Sequence, residues 1–266
     1  MAISTLDGII AGYRSPVRFG KAATPTLVAG RPHSLFYLAG NPGAAAAPTP
    51  GLSGAALTSY AGQLRFDNPA ASAYLAKLYG QATIAGTLLL CDRLWHNSGI
   101  TITQTSAHTI NSVAFPARDI AGTIDGDGVL IGVEVSAATG AGTPTLTIGY
   151  TNTADQASRT AANIQPTAAT SAIGVFHELG LQVGDTGVKS VQTFTLSATW
   201  TSGTIHLVAY RVIAELALVG PLITSALDVF GTGMPQMFSN SVPFLIFVPQ
   251  TTTATQITGG LQYTHG

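Results

Sequence analysis

The chain has 266 residues, a formal net charge of −1 and 46% hydrophobic residues, and only 9% of its residues are charged. Soluble domains carry roughly 25% charged residues, so the shortage of charge is the most unusual property of this sequence. Its eleven Lys and Arg residues are scattered, which argues against direct contact with nucleic acid, because that needs a dense basic face. A surface rich in Thr, Ala, Gly and Ser suits permanent protein contacts, since few charges have to be desolvated.

The sequence contains no pattern for crossing a membrane or for secretion. The longest apolar stretch, residues 205–223, is interrupted by Arg211 and Glu215 and has Pro221 near its end. The N-terminus lacks the basic segment of a signal peptide. We therefore expect a protein that is made in the cytoplasm and used without secretion, with its apolar residues hidden in a core and in interfaces.

Residues 1–50 are rich in Gly and Pro and end in a low-complexity run of Ala and Pro. Repeated prolines prevent a continuous helix or a central strand, so this segment predicts an extended N-terminal arm. It contains Tyr13, Phe19, Phe36 and Tyr37 and few charges, unlike a solvated disordered tail. Such an arm must lie on something, either a neighbouring subunit or its own domain, and the sequence does not choose between the two.

One short helix is predicted near residues 69–79. Asn68 is a good N-cap and Pro69 suits the first helical position. Large side chains then recur at helical spacing, at Tyr74, Leu75, Leu78 and Tyr79. We expect this helix to pack on a sheet and its aromatic residues to belong to the core.

The rest of the 51–266 domain has the pattern of β-strands. Residues 86–95, 205–213 and 244–248 are nearly continuous apolar runs, as in buried strands, and residues 205–213 should be central in a sheet. Apolar residues alternate with Thr or other polar residues at 100–103, 129–135, 145–151 and 193–200. A final polar strand, rich in Thr and Gln, is predicted at 251–264. Gly-rich turns at 140–142 and 201–203 predict hairpins between their flanking strands. The expected fold is mainly β, an antiparallel, jelly-roll-like β-sandwich with an N-terminal arm and one short helix.

Motifs of enzyme chemistry are absent from the sequence. There is no Gly-x-Ser-x-Gly nucleophile elbow, P-loop or dinucleotide fingerprint, so we expect no enzyme, no catalytic residues and no cofactor. His177-Glu178 begins like a zinc motif, but no second His follows at the required spacing. Cys91 lies in an apolar run, as a buried small hydrophobe would. The other histidines are dispersed along the chain, at positions 33, 96, 108, 206 and 265.

The pair Asp125 and Asp127, separated and followed by Gly, brings two carboxylates close together. A calcium ion uses such ligands, but the spacing completes no known calcium loop and no bidentate Glu follows. The favoured interpretation is a pair of Asp-Gly turns before a strand. A cation on Asp125 and Asp127 remains an alternative at this point, and we expect no other metal site.

The region from about residue 94 to residue 219 resembles a class of virion proteins of tailed bacteriophages. Five segments carry the resemblance, namely FPARD at 115–119, GDGVL at 126–130, VEVSAATGAGTP at 133–144, GLQVGDTGV at 180–188 and LSATWTSGT at 196–204. The Ala-, Thr- and Gly-rich style of the whole chain is similar to that class. The resemblance covers about half of the chain and has no catalytic signature, so it implies a structural component of a particle.

The resemblance, the arm and the charge deficit together favour a capsid decoration, or cement, protein. Such proteins bind the outside of the shell at its symmetry axes, so a homotrimer that contacts the major capsid protein is expected. The chain lacks the long charged helix expected of the usual shell subunit, and its low charge argues against lining the DNA-filled interior. The alternatives are a tail, baseplate or head-fibre component and, more remotely, a glycan-binding or hydrolytic protein of the virion.

Overall fold

The computed structural model describes residues 3, 5–22 and 27–266, and they form a protein that is almost entirely β. The two short helices described are α1 (Leu6–Ala11) and α2 (Val229–Thr232). The strands of the described ranges are β1 (Val17–Lys21), β2 (His33–Ser34), β3 (Gly40–Asn41), β4 (Ala55–Ala56), β5 (Ala73–Ala82), β6 (Gly86–His96), β7 (His108–Thr109), β8 (Val129–Ala137), β9 (Leu146–Asn152), β10 (Arg159–Asn163), β11 (Phe176–Gly180), β12 (Val188–Leu196), β13 (Thr204–Leu218), β14 (Ser225–Leu227), β15 (Gln236–Met237), β16 (Pro243–Pro249) and β17 (Ile257–His265).

These strands form two antiparallel sheets. In the smaller sheet the order is β14-β5-β17-β1-β3, with β15 also paired to β5. In the larger sheet it is β2-β16-β6-β13-β8-β11-β10-β9-β12-β7, with β4 also paired to β6. None of the described helices is long and apolar enough to span a membrane. The expected mainly β, antiparallel architecture is confirmed.

The two long strands β6 and β13 connect the two main hydrophobic cores. Leu88 and Leu90 of β6 and Leu216 of β13 pack with the smaller sheet. Further along the same strands, Trp95 and Leu207 belong to a second core, which the larger sheet encloses with β8, β9 and β12. Nearly every residue of β6 and most of β13 are buried, so the prediction of a central, covered strand over 205–213 is confirmed.

The described part of the 1–50 segment packs on its own chain. Strand β1 lies between β17 and β3, and β2 pairs with β16. Leu27 and Leu35 enter the core of the smaller sheet, and Phe36 joins a third apolar cluster on the back of the larger sheet. Of the two alternatives for this segment, contact with its own domain is what the structure describes. Residues 1, 2, 4 and 23–26 lie outside the described residues.

The predicted helix near residues 69–79 is wrong, because this part of the chain contains the first seven residues of β5. Tyr74 and Tyr79 are half-buried, while Leu75 and Leu78 are fully buried. The spacing that suggested one helical stripe comes from a strand with two consecutive buried residues, Leu75 and Ala76, opposite a register shift in β17. Pairing along the whole length of β17 provides hydrogen-bond partners for the backbone of β5, and this stabilisation outweighs the local helix signals.

The two predicted hairpins are also wrong. Strand β8 pairs with β13 and β11 and not with β9, so residues 140–142 connect strands that are not neighbours. Residues 201–203 likewise link β12 to β13, which are not paired. The strand predicted for 193–200 ends at Leu196, and residues 100–103 form a turn instead of a strand. The runs at 86–95, 129–135, 145–151 and 244–248 are strands as predicted.

Candidate association surfaces

Asp125 and Asp127, the pair singled out in the sequence, are bonded to different partners. Asp125 is exposed and lies 3.4 Å from the Lys189 ammonium, which also pairs with Asp155 at 2.7 Å. The backbone N–H of Asp127 donates to the carboxylate of Asp119 at 3.3 Å. Within residues 3, 5–22 and 27–266, no three His, Cys, Asp or Glu side chains stand close enough together to hold a metal ion.

Asp119 organises this turn, and the sequence interpretation missed its role. Its carboxylate accepts hydrogen bonds from the Thr123 hydroxyl at 2.6 Å and from four backbone N–H groups, those of Ala121, Thr123, Gly126 and Asp127. Burial raises the pKa of Asp119, but these hydrogen bonds outweigh it and hold the pKa below its usual value. An Asp at the start of a Gly-rich loop was the available signal, because Asp side chains accept from nearby backbone N–H groups.

A second turn is held by a carboxylate in the same way. Asp185 accepts from Asn152 Nδ2 at 2.7 Å, from Arg159 Nε at 2.9 Å and from the Tyr150 hydroxyl. The hydrogen bond from Arg159 is the main cause that lowers the pKa of Asp185 to about 2. Arg159 also donates to the carbonyl oxygen of Val183, whose side chain is 96% exposed. The turn therefore presents an apolar side chain on a rigid base.

The histidines are dispersed in the structure as in the sequence. Burial is the main cause that lowers the pKa of His33 to about 4, of His96 to about 2 and of His177 to about 3, so all three are neutral at pH 7. Each of the remaining three has a hydrogen-bond partner within the protein: the Thr101 N–H donates to His108 Nε2, His206 Nδ1 bonds to the Asn97 carbonyl, and Arg14 Nε donates to His265 Nδ1. The Cys91 thiol is fully buried, which raises its pKa and makes it unreactive.

Arg31, His177 and Glu178 form the arrangement most similar to an active site. Burial raises the pKa of Glu178, as in a general acid. The cleft between these side chains, however, has a volume of only about 10 Å³. That is room for about one water molecule.

Two ion pairs extend from adjacent residues of β6 and lie inside the protein. Asp92 binds Arg118 at 2.9 Å, and the Ser241 hydroxyl and the Val242 N–H donate to the same carboxylate. Arg118 also donates to the carbonyl oxygens of Leu57 and Arg93. The FPARD segment thus contributes a buried structural arginine and the turn-forming Asp119.

The second pair joins Arg93 to Glu134 at 2.7 Å, with both side chains completely buried. The Arg93 guanidinium lies 4.5 Å from the ring centroid of Phe36 and 5.5 Å from that of Phe244. Tyr37 donates its hydroxyl to Glu134 at 2.9 Å, so this pair fastens the 33–37 segment to the larger sheet. Burial raises the pKa of Glu134, but the Arg93 charge outweighs it and the pKa lies below its usual value.

A large share of the few charged side chains therefore lies in the interior of the protein. The sequence contains eleven Lys and Arg and twelve Asp and Glu residues, and seven of these side chains are buried. They are Lys21, Asp92, Arg93, Arg118, Asp119, Glu134 and Arg211. All the charged residues lie in the described ranges, so the surface is even poorer in charge than the composition suggests.

Large apolar side chains are exposed at several separate places on this charge-poor surface. The turn between β13 and β14 exposes Val219, Leu222 and Ile223, and Phe230 on α2 is 88% exposed. Leu222 has a φ of 58°, which is uncommon for a residue other than glycine. The other exposed residues are Leu6, Ile10, Tyr13, Val113, Ile120, Ile124, Ile164, Ile173, Val183 and Val212. We call the segment from Val219 to Phe230 the apolar edge.

Comparisons with known proteins give little further information. No family model matches the chain, and no curated protein matches it. A solved structure that is similar to it is the crystal structure of the infectious bursal disease virus VP2 subviral particle, with 9% sequence identity over 96% of this chain and 82% of the viral chain. The TM-score is 0.23, so this weak likeness to a viral capsid protein assigns neither fold nor function.

Proposed function

We propose that this chain is a structural protein of a tailed-bacteriophage particle, and specifically a decoration protein that binds the outside of the capsid. One observation carries the proposal: several of the few charged side chains are buried, while fourteen large apolar side chains are exposed in the described part of the chain. Such a surface loses little charge solvation when it meets another protein. The resemblance of residues 94–219 to virion proteins of tailed bacteriophages indicates that the assembly is a phage particle.

Association through side chains fits this structure better than association through sheet edges. The strands that end the two sheets, β14, β3, β2 and β7, have only two or three residues each in the described part of the chain. Short edge strands offer few free backbone groups to another strand. We therefore propose that the partners, a second and third copy and the major capsid protein, contact the exposed side chains.

The first test is the mass of the purified full-length chain by light scattering and native mass spectrometry. We expect a trimer, with three times the 27.2 kDa mass of one chain. The whole chain must be used, because β1 and the core residues Leu27 and Leu35 connect the N-terminal segment to the rest of the protein. A strictly monomeric protein at high concentration would contradict the homotrimer.

The second test is the position of the chain in the virion, by cryo-electron microscopy of particles that contain it. Density over the outer shell at three-fold positions is the expected result. Density confined to the tail would contradict the decoration role and favour the tail, baseplate or head-fibre alternative.

We further propose that the chain has no hydrolytic activity. Glu178 is the carboxylate to examine, since its pKa is raised and His177 lies beside it. We expect purified protein to release no product from peptidoglycan or bacterial polysaccharide, and Glu178→Gln to behave identically. Turnover that disappears in Glu178→Gln would overturn this proposal and make the chain an enzyme.

A further inference from the structure

The outer face of the smaller sheet has a flat aromatic centre. Tyr79 on β5 is paired with Gly260 on β17, and Gly260 is paired with Arg18 on β1. Paired residues of an antiparallel sheet point to the same face, so these three positions form one row across the sheet. A Cβ atom on Gly260 would lie 2.6 Å from the Tyr79 hydroxyl oxygen and 2.7 Å from its Cζ. The tyrosine ring therefore lies across the sheet, over a position that has no side chain.

Polar side chains surround this ring on the same face. Gln81 is paired with Thr258, in the row beside Tyr79, and Lys77 is paired with Gln262 on the other side. Arg18, Tyr79, Gln81 and Thr258 line a shallow depression of about 180 Å³. The Lys77 ammonium lies 5.5 Å from the centroid of the Tyr79 ring. This ammonium lies over the ring, so a group that stacks on the ring would displace the ammonium toward the rim of the depression, where it stays within reach together with the other polar side chains.

The charge on this face has one sign. The described strands of the smaller sheet contain no Asp or Glu residue, and their exposed cations are Arg18 and Lys77. Within the described ranges, no carboxylate forms an ion pair with the Arg18 guanidinium or with the Lys77 ammonium, which contacts the Tyr79 ring. A negatively charged group of a ligand would therefore form ion pairs with both cations.

We propose that this face, which we call the Tyr79 platform, binds an anionic saccharide. The ring would stack on the apolar side of a sugar, Gln81 and Thr258 would bond its hydroxyl groups, and Arg18 and Lys77 would bind its carboxylate or phosphate. An apolar side chain of a protein suits this depression less well than a sugar, because it would leave the polar side chains around the ring without hydrogen-bonding partners. Two cations are also too few for a nucleic-acid groove, which needs a row of basic residues along the backbone. The proposal does not depend on where in a particle the chain is located.

The test is calorimetric titration of the full-length protein with tetragalacturonate, a carboxylate-bearing sugar, and with maltotetraose, its neutral counterpart. We expect saturable binding of tetragalacturonate and weaker binding of maltotetraose. A teichoic acid fragment tests whether phosphate replaces carboxylate, and a short oligothymidylate tests nucleic acid. Equal binding of the two sugars would overturn the charge assignment, and tighter binding of oligothymidylate than of either sugar would overturn the saccharide assignment.

Variants identify the residues responsible. Because Tyr79→Ala removes the ring on which the sugar stacks, it should weaken tetragalacturonate binding about tenfold or more. Tyr79→Phe retains the ring and should bind within about threefold of wild type, which also shows that the sheet is intact. Arg18→Gln should remove the preference for tetragalacturonate over maltotetraose.

A matched control lies away from the platform. Lys189→Gln removes one positive charge from a surface ion pair of the larger sheet and should bind tetragalacturonate as wild type does. Absence of saturable binding by wild-type protein, or equal effects of Arg18→Gln and Lys189→Gln, would overturn the proposal.

Discussion

Two regions of this molecule use charge in opposite ways. Around β6, four charged side chains lie inside the protein as the pairs Asp92–Arg118 and Arg93–Glu134. On the outer face of the smaller sheet, the cations Arg18 and Lys77 are exposed and no acidic residue accompanies them on its described strands. Buried pairs tolerate only one arrangement of the elements they join, whereas unpaired surface cations leave room for a partner. The first region thus determines the packing of this chain, and the second is free for binding.

The two buried pairs also differ from each other. Both oxygens of Asp92 accept hydrogen bonds, from Arg118, Ser241 and Val242. Arg93 Nη1 and Glu134 Oε1, in contrast, have no partner within the described residues. An incompletely bonded buried pair stabilises a fold less than a completely bonded one, because the remaining polar atoms still lose their hydration. The following predictions start from this difference.

The largest effect is expected from Asp92→Ala. The substitution leaves the Arg118 charge buried without its partner and removes the bonds to Ser241 and Val242. We expect a loss of about 3–5 kcal/mol in the free energy of unfolding, measured by urea denaturation. Asp228→Ala, which removes the exposed N-cap of α2, is the control and should cost about 1 kcal/mol. A cost of Asp92→Ala no larger than that of the control would contradict the structural role of this pair.

The second prediction concerns the incompletely bonded pair. Arg93→Met alone and Glu134→Leu alone should each cost about 3 kcal/mol, because each leaves one buried charge. The double variant should cost less than either single one, since no charge remains and the unpartnered atoms are gone. A double-mutant cycle in urea measures this difference. Strictly additive costs would show that the two groups do not interact as the 2.7 Å distance implies.

A smaller loss is expected in the Asp119 turn. Asp119→Ala leaves several backbone N–H groups without an acceptor and should cost about 1–3 kcal/mol. Asp125→Ala removes an exposed partner of Lys189 and should change the stability by no more than about 0.5 kcal/mol. Equal effects of the two substitutions would mean that Asp119 does not organise the loop.

The fourth prediction is that acid destabilises the protein. The folded-state pKa values of His33, His96 and His177 lie near 4, 2 and 3, below the ordinary value of 6.5, mainly because of burial. The unfolded chain therefore binds more protons below pH 6.5, and stability falls as the pH is lowered from there toward 4. Thermal melting across this range measures the slope. His177→Gln should flatten the slope, and an unchanged slope would show that His177 is protonated in the folded state.

The smallest effect on stability is expected at the apolar edge. Leu222 has a positive φ and a side chain that is 64% exposed. Asn adopts this conformation more easily, so Leu222→Asn should leave the stability within about 0.5 kcal/mol of wild type or raise it. If the apolar edge joins copies of the chain, the same variant should weaken self-association in light scattering. A large loss of monomer stability would show that Leu222 serves the fold and not a partner.

The positions of the strands were largely predictable where apolar residues occupy one face of a strand, or both faces, without interruption. The apolar runs at β6, β13 and β16 are hydrophobic enough to require burial in any fold, and all three are buried strands. The segment 69–79 was not predictable as a strand, because β5 derives its stability from pairing with β17, whose residues lie 175 to 192 positions later in the chain than their partners. The candidate Asp125 and Asp127 lay in the right turn, but only the folded backbone shows that Asp119 accepts its N–H groups.

The sequence by itself determined that the chain is mainly β, poor in charge and without a motif of enzyme chemistry. Composition and period-2 alternation are local properties, so they do not depend on the order in which the strands pair. Only the tertiary structure decided which strands are neighbours, that seven charged side chains are buried, and that Tyr79 lies beside Arg18. These features depend on contacts between residues far apart in the chain, and the free energy of such contacts is set by packing and pairing that no local pattern contains.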